Sequence, residues 1–145
     1  MNLDDYAGHV VLIDFWSSWC PFCIDEAPYT QALAKKYASQ GLITIGYDGQ
    51  EDFSDFQDYV SSNTNLNSIT FLWGDNSPAD AYGVNGIPTE FVIDKSGNIA
   101  AVSVGFSATD TTVENAIVAA LATPSGHGAP VAKIHVSNNV GVIRH

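Results

Sequence analysis

The chain has 145 residues, 46% of them hydrophobic and only 14% charged, enough for one domain with a real core that needs no disulfide staples. Five Lys and Arg stand against 16 Asp and Glu, and the resulting formal charge of -11 opposes attraction to nucleic acid or anionic lipid, so both are excluded as partners. The longest apolar runs fall far short of a bilayer span, which excludes membrane insertion by this chain, and Met1-Asn2-Leu3-Asp4-Asp5 lacks the basic start and apolar core of an export signal. Any such signal or anchor is expected to have been removed or never to have existed.

Along the chain, strands and helices alternate. Val10-Val11-Leu12-Ile13-Asp14-Phe15-Trp16 reads as a buried strand, and Cys20 to Gln40 as a helix kinked at Pro28, which removes a backbone donor, and closed by Gly41. Leu42-Ile43-Thr44-Ile45-Gly46-Tyr47 reads as a second buried strand. Phe53, Phe56 and Val60 then recur at the spacing of an amphipathic helix capped by Asp52, and this aromatic stripe reads as core. Ile69-Thr70-Phe71-Leu72-Trp73 is a short strand, and Ser77 to Tyr82 a short helix opened by Pro78. Residues 89–94 and 98–104 are strands joined by Lys95-Ser96-Gly97, a hairpin signal. Thr111 and Glu114 have capping-box spacing before a last helix carrying Val113, Ile117 and Leu121. The pattern predicts an α/β fold, a central mixed sheet flanked by helices on both faces, with no internal repeat.

The chemistry lies at the first strand-to-helix junction, Trp19-Cys20-Pro21-Phe22-Cys23, which holds the only two cysteines. A cysteine at a helix N-terminus faces unpaired N–H groups and the positive end of the helix dipole, which favour a thiolate. Cys20 is therefore the candidate nucleophile. Cys23, one turn on, is placed to attack a mixed disulfide at Cys20 and release the partner reduced. Half of a zinc site and an inert structural disulfide are the competing readings. Zinc needs four ligands, and the histidines at 9, 127, 135 and 145 show no paired ligand spacing.

The run Asp14-Phe15-Trp16-Ser17-Ser18-Trp19-Cys20-x-x-Cys23 resembles thioredoxin, and Ile87-Pro88-Thr89 resembles its second signature, a cis-proline loop facing the cysteines. Glu26-x-Pro28 after the cysteines, the stretch from Tyr82 to Ile99, and an extra helix and strand between Gln50 and Trp73 are similar to the extracytoplasmic TlpA/ResA-type thioredoxins, over roughly residues 3–122. The resemblance implies a thioredoxin fold with the TlpA-type insertion. It also implies a thiol–disulfide oxidoreductase that needs no cofactor and no metal, works as a monomer outside the cytoplasm, and takes a disulfide-bearing protein substrate and a thiol donor protein as partners. Reduction of protein disulfides, as in cytochrome c maturation, is the leading role. A disulfide oxidase or isomerase, and a non-catalytic binding, chaperone or copper-delivery module, are the alternatives.

By the same resemblance, Pro88 is a cis-proline whose backbone, with Ile87, pairs with an incoming peptide; an ordinary turn proline is the other reading. Trp19, Pro21 and Phe22 form contact surface for partners, although Trp19 also suits plain packing. Asp14, at the end of a strand that reads as buried, should have a raised pKa and suits a proton acceptor for Cys23. Many TlpA-type proteins place that acid at the Glu26 position instead, and this chain has both; for Glu26 a solvated helix charge is the alternative.

Two features depart from the pattern. Pro21 follows the first cysteine instead of preceding the second, an order resembling glutaredoxins and the strongly oxidising Cys-Pro-His-Cys enzyme. Superfamily potentials span about -270 to about -120 mV, so the dipeptide can decide direction. Phe22 cannot donate a hydrogen bond to a thiolate as histidine could, so a less oxidising protein is expected. The second departure is the tail, 124–145, a linker and then two short strands around Ser137-Asn138-Asn139. TlpA-type domains begin with a hairpin introduced by Gly-x-Ala-Pro-like residues, which is missing ahead of the domain at 1–123. Gly128-Ala129-Pro130 and the strands after it look like that piece displaced by circular permutation, with an unrelated extension as the alternative.

Overall fold

The computed structural model describes residues 6–124 and 141–143. Six strands, Val11–Phe15 (β1), Ile43–Asp48 (β2), Thr70–Trp73 (β3), Thr89–Ile93 (β4), Ile99–Val104 (β5) and Gly141–Ile143 (β6), form one mixed sheet in the order β5-β4-β1-β2-β3-β6. An uninterrupted apolar run suits a strand covered on both faces. β1 is such a strand: all five residues are buried, with β2 parallel on one side and β4 antiparallel on the other. Its alternate residues feed two cores. Val11, Ile13 and Phe15 pack with Tyr47, Leu72, Ala79 and Phe91, while Leu12 packs on the other face with Tyr37, Val92 and Ile117. Asp14 belongs to this second face by alternation.

Helix α1, Pro21–Tyr37, carries a buried stripe of Cys23, Glu26, Thr30, Ala34 and Tyr37 at spacings of three and four. Pro28 lies inside it without ending it. The α-helix stops three residues short of the predicted end, and 38–40 continue as a 3-10 turn closed by Gly41 at φ 101°. Helix α2, Phe53–Ser62, buries Phe56 and Val60 beneath Trp16 and Phe71, but Phe53, read as part of the same core stripe, is exposed at the helix start with its ring against Phe56 and Trp73. Asp52 occupies its N-cap position but makes no side-chain cap, which corrects that expectation. Helix α3, Ser77–Ala81, opens with Pro78 and covers the opposite face of the sheet through Ala79.

The β4–β5 hairpin is held by Asp94, whose carboxylate accepts from the Ser96 and Asn98 amides, both at 2.9 Å. Helix α4, Thr112–Ala122, buries Val113, Ile117 and Ala120. The predicted capping box between Thr111 and Glu114 does not form. Asp110 takes the Thr112 amide and hydroxyl instead, and Glu114 turns to accept from Tyr37 (2.7 Å) and Lys36 (3.0 Å), tying α4 to α1. Of the predicted tail hairpin, only β6 lies within the described residues, where it pairs antiparallel with β3. The first tail strand, 131–136, lies outside them.

Candidate active site

The loop from β1 to α1 turns the chain so that Cys20 becomes the N-cap of α1, with φ -92° and ψ 111°. Its Sγ accepts the Cys23 backbone N–H at 3.3 Å, satisfying one of the amides a helix start leaves unpaired. Both thiols are free and buried. Burial, and then the hydrogen bond with Cys20, push the Cys23 thiol far above its ordinary value. Facing the pair, the Ile87–Pro88 peptide bond is cis and the Ile87 carbonyl lies 3.7 Å from Cys20 Sγ. That segment is held by Thr89, whose hydroxyl donates to the Gly86 carbonyl at 2.6 Å, and by the Gly105 amide on the Pro88 carbonyl at 2.8 Å.

Trp19 and Phe22, 58% and 63% exposed, flank Cys20 with exposed Pro21 between them in sequence. Trp19 Nε1 donates to the Gln50 carbonyl at 3.1 Å, so the indole is fixed at the surface and not packed in the core. The Ser18 amide and hydroxyl both donate to Glu51, whose own carbonyl accepts from Trp73 Nε1 at 2.8 Å. Beneath this loop Asp48 is fully buried. Burial and the neighbouring Glu51 raise its carboxyl to about 8. Glu51, although burial opposes it, is held below its usual value by hydrogen bonds involving Asp48 and Ser18.

Under the dithiol lie three buried carboxyl groups, Asp14, Glu26 and Glu90, with an oxygen of each within 4.8 Å of the others. Asp14 faces Gly46 across β2 and Glu90 across β4 in the sheet register. Neither Asp14 Oδ1 nor Glu26 Oε1 has a donor among the described residues. Burial raises all three pKa values: Asp14 well above its usual range, with Glu26 and Glu90 adding to the effect, Glu26 to about 7, and Glu90 to about 8 with a contribution from Glu26. Near neutrality such a group is part protonated and shares its protons as a set. Three hard oxygen donors could chelate a cation only by giving those protons up, and we assign no ion to them.

The structure thus brings Cys20, Cys23, Asp14, Glu26, Ile87 and Pro88 together beneath a surface made by Trp19, Pro21 and Phe22. Glu26 is buried on the inner stripe of α1 and is not a solvated helix charge. Sequence reading overlooked Glu90. An acid inside the apolar run Thr89-Glu90-Phe91-Val92-Ile93 was the available signal, but only the β1–β4 register sets it opposite Asp14.

A dithiol at a helix start, a cis-proline segment across from it and a mixed sheet beneath define a thioredoxin-fold redox site. The family model described as Redoxin matches residues 1–118. Thiol-disulfide oxidoreductase ResA of Bacillus subtilis (strain 168) is 30% identical over 105 residues, 72% of this chain and 58% of that protein. A structure from Chlorobium tepidum, provisionally assigned as thiol:disulfide interchange protein DsbE, superposes with a TM-score of 0.72 at 31% identity, covering 82% of this chain and 84% of that one. A secreted Mycobacterium tuberculosis disulfide oxidoreductase homologous to E. coli DsbE gives 0.65 at 25% identity, over 80% and 85% of the two chains. The chain belongs to the Redoxin family and, within the thioredoxin superfamily, is of the TlpA/ResA type. It spans about three-fifths of the length of the curated relatives it matches.

Proposed function

We propose that the chain is a protein thiol–disulfide oxidoreductase acting as a reductant outside the cytoplasm. The observation that carries this reading is the Cys20 sulfur at the α1 N-cap, accepting the Cys23 amide and facing the Ile87 carbonyl of the cis-proline segment. Cys20, as thiolate, attacks one sulfur of a substrate disulfide, forming a mixed disulfide and expelling a substrate thiolate. The Cys23 thiol gives its proton to the Asp14–Glu26 pair, and its thiolate attacks Cys20 Sγ. The Cys20–Cys23 disulfide forms, the second substrate thiolate leaves, and two electrons have passed to the substrate. The two leaving thiolates take their protons from solvent, and a thiol donor protein resets the dithiol. Trp19, Pro21 and Phe22 supply the apolar contact, while Ile87 and Pro88 offer backbone to an extended peptide. The secreted Mycobacterium tuberculosis disulfide oxidoreductase among the similar structures supports work outside the cytoplasm, and cytochrome c maturation is the role that the TlpA/ResA resemblance implies.

The test is insulin reduction together with the equilibrium potential of Cys20–Cys23 against glutathione and dithiothreitol. A potential nearer about -270 than about -120 mV, with activity lost in Cys20→Ser and a trapped mixed disulfide in Cys23→Ser, is the expected result. A potential at the oxidising end reverses the direction of electron flow. Unchanged function in Cys20→Ser makes the chain a binding module.

A further inference from the structure

A cleft of about 330 Å³ opens between α1, β4, β5, the 105–111 loop and α4, and its lining includes the buried acids Glu26 and Glu90 together with Thr30. Neither cysteine lines it, and neither does Asp14. The Thr30 hydroxyl donates to Glu90 at 3.4 Å. Exposed Trp19 and Phe22 beside buried Cys20, by contrast, make the surface that the proposed function gives to a protein substrate. A proton leaving Cys23 while that surface is occupied therefore needs another way to water.

We propose that Glu90 is a third working acid of this site, taking the proton from the Asp14–Glu26 pair and exchanging it with solvent through the cleft behind the dithiol. This rests on the oxidoreductase reading and extends it. The chain of groups runs from Asp14, close enough for its charge to raise the Cys23 pKa, to Glu26 within reach of Asp14, to Glu90 opposite Asp14 in the register and beside Glu26, and then to the cleft. In the reducing direction Cys23 gives up one proton, Asp14 or Glu26 receives it, and Glu90 passes it to water, so that the acids end the turnover as they began. The titratable groups facing Glu90 are Asp14 from β1 and Glu26 from α1. Around the cleft stand Tyr29, Asp110, and Glu114 of α4 paired with Lys36 at 3.0 Å; β5 contributes Ser103, which does not titrate. Lys36 is held by Glu114, which leaves the two buried acids without a cation of their own among these groups.

The experiment is stopped-flow oxidation of the reduced chain from pH 5 to 9 by insulin and, separately, by oxidised glutathione, whose small size leaves the front of the site open to water. Glu90→Gln retains a group able to bond Thr30 but cannot ionise. It should shift the neutral inflection to lower pH and slow the Cys23 step at pH 7 by about 10-fold, less than the ~100-fold of outright loss of a general base because Asp14 and Glu26 remain. Ala108→Trp, filling the cleft from an exposed position, should slow oxidation by insulin several-fold more than oxidation by glutathione. A Glu90→Gln profile that superimposes on the parent, or an Ala108→Trp effect equal for both oxidants, overturns the proposal. Carboxyl-carbon NMR titration reads the cluster independently of activity: the Glu26 midpoint should move in Glu90→Gln, and the Glu90 midpoint should rise in Thr30→Val. Unmoved midpoints overturn the proposal even if the parent transfers no electrons, an outcome that by itself would count against the oxidoreductase reading alone.

Discussion

A carboxyl group set between Gly46 and Glu90 in the sheet, with no donor to its Oδ1 among the described residues, stays protonated in the native state over a pH range where it ionises in the unfolded chain. The native pKa of Asp14 is raised above its unfolded 3.8, so its contribution to stability is full below that value and is lost as pH rises toward the native one. Asp14→Asn is therefore expected to raise the melting temperature more at pH 8 than at pH 5, and to slow the Cys23 step on the order of 100-fold at pH 7. Calorimetry at the two pH values and single-turnover insulin reduction check the pair of outcomes. Equal melting shifts would mean that Asp14 does not bind its proton more tightly when folded. Phe22 is 63% exposed beside Cys20, and we propose that it contacts the protein substrate. Phe22→Ala should raise KM for insulin several-fold while leaving the pH profile in place.

Among the elements, α2 decides how well the site is supported. Phe56 is fully buried with its ring centroid 6.0 Å from that of Trp16, the residue that leads from β1 into the cysteine loop. Phe56→Ala should cost about 3–5 kcal/mol by denaturant unfolding and shift the Trp16 emission, since the cavity lies directly against the indole. Gly49, where β2 hands over to the loop carrying Gln50 and Glu51, is tighter still: an added Cβ would lie 2.7 Å from the Asp75 carbonyl. Gly49→Ala must push those backbones apart and loosen the two carbonyl anchors that hold Trp19 and Trp73, which indole fluorescence quenching would read.

Across the whole molecule the buried acids act together. Glu26, Glu90 and Asp48, with native values of about 7, about 8 and about 8 against 4.5, 4.5 and 3.8 unfolded, all bind protons more tightly when folded. Stability should therefore fall as pH rises from about 4.5 to about 8, by about 1.4 kcal/mol per pH unit for each excess proton held by the native state. Unfolding free energies across that window give the slope, and a flat profile would place these carboxyls in water. At the far edge of the sheet, β6 covers the outer side of β3. We propose that 124–145 is the displaced hairpin of the same domain. A chain ending at Thr123 should then lose stability through its bare β3 edge, and moving 124–145 ahead of Met1 should restore it. Failure of that rearranged chain to fold would leave the tail an unrelated extension.

What was legible in the residues is whatever depends on local pattern. Apolar runs and turn residues located β1 to β5, the closing Gly41 bounded α1, helical spacing located α2 and α4, and the Cys20–Cys23 step with Ile87-Pro88 marked the dithiol site. The buried face of α1 was not read, because its stripe of Cys23, Glu26, Thr30, Ala34 and Tyr37 mixes polar with apolar side chains and shows itself only once the helix is docked on the sheet. Caps were misread at Asp52 and Thr111, because a cap depends on the local dihedral and on which competitor reaches the amide first; at α4 that was Asp110. The proton chemistry beneath the thiols was decided by tertiary structure. Asp14, Glu26 and Glu90 are far apart in the chain, and only the register of β1 against β4 and the docking of α1 bring their carboxyl groups within 4.8 Å. Sequence alone determined that this chain could carry a reactive dithiol. Strand pairing, which no local pattern encodes, determined which acids lie beneath it and which of them, Glu26 and Glu90, line the cleft behind it.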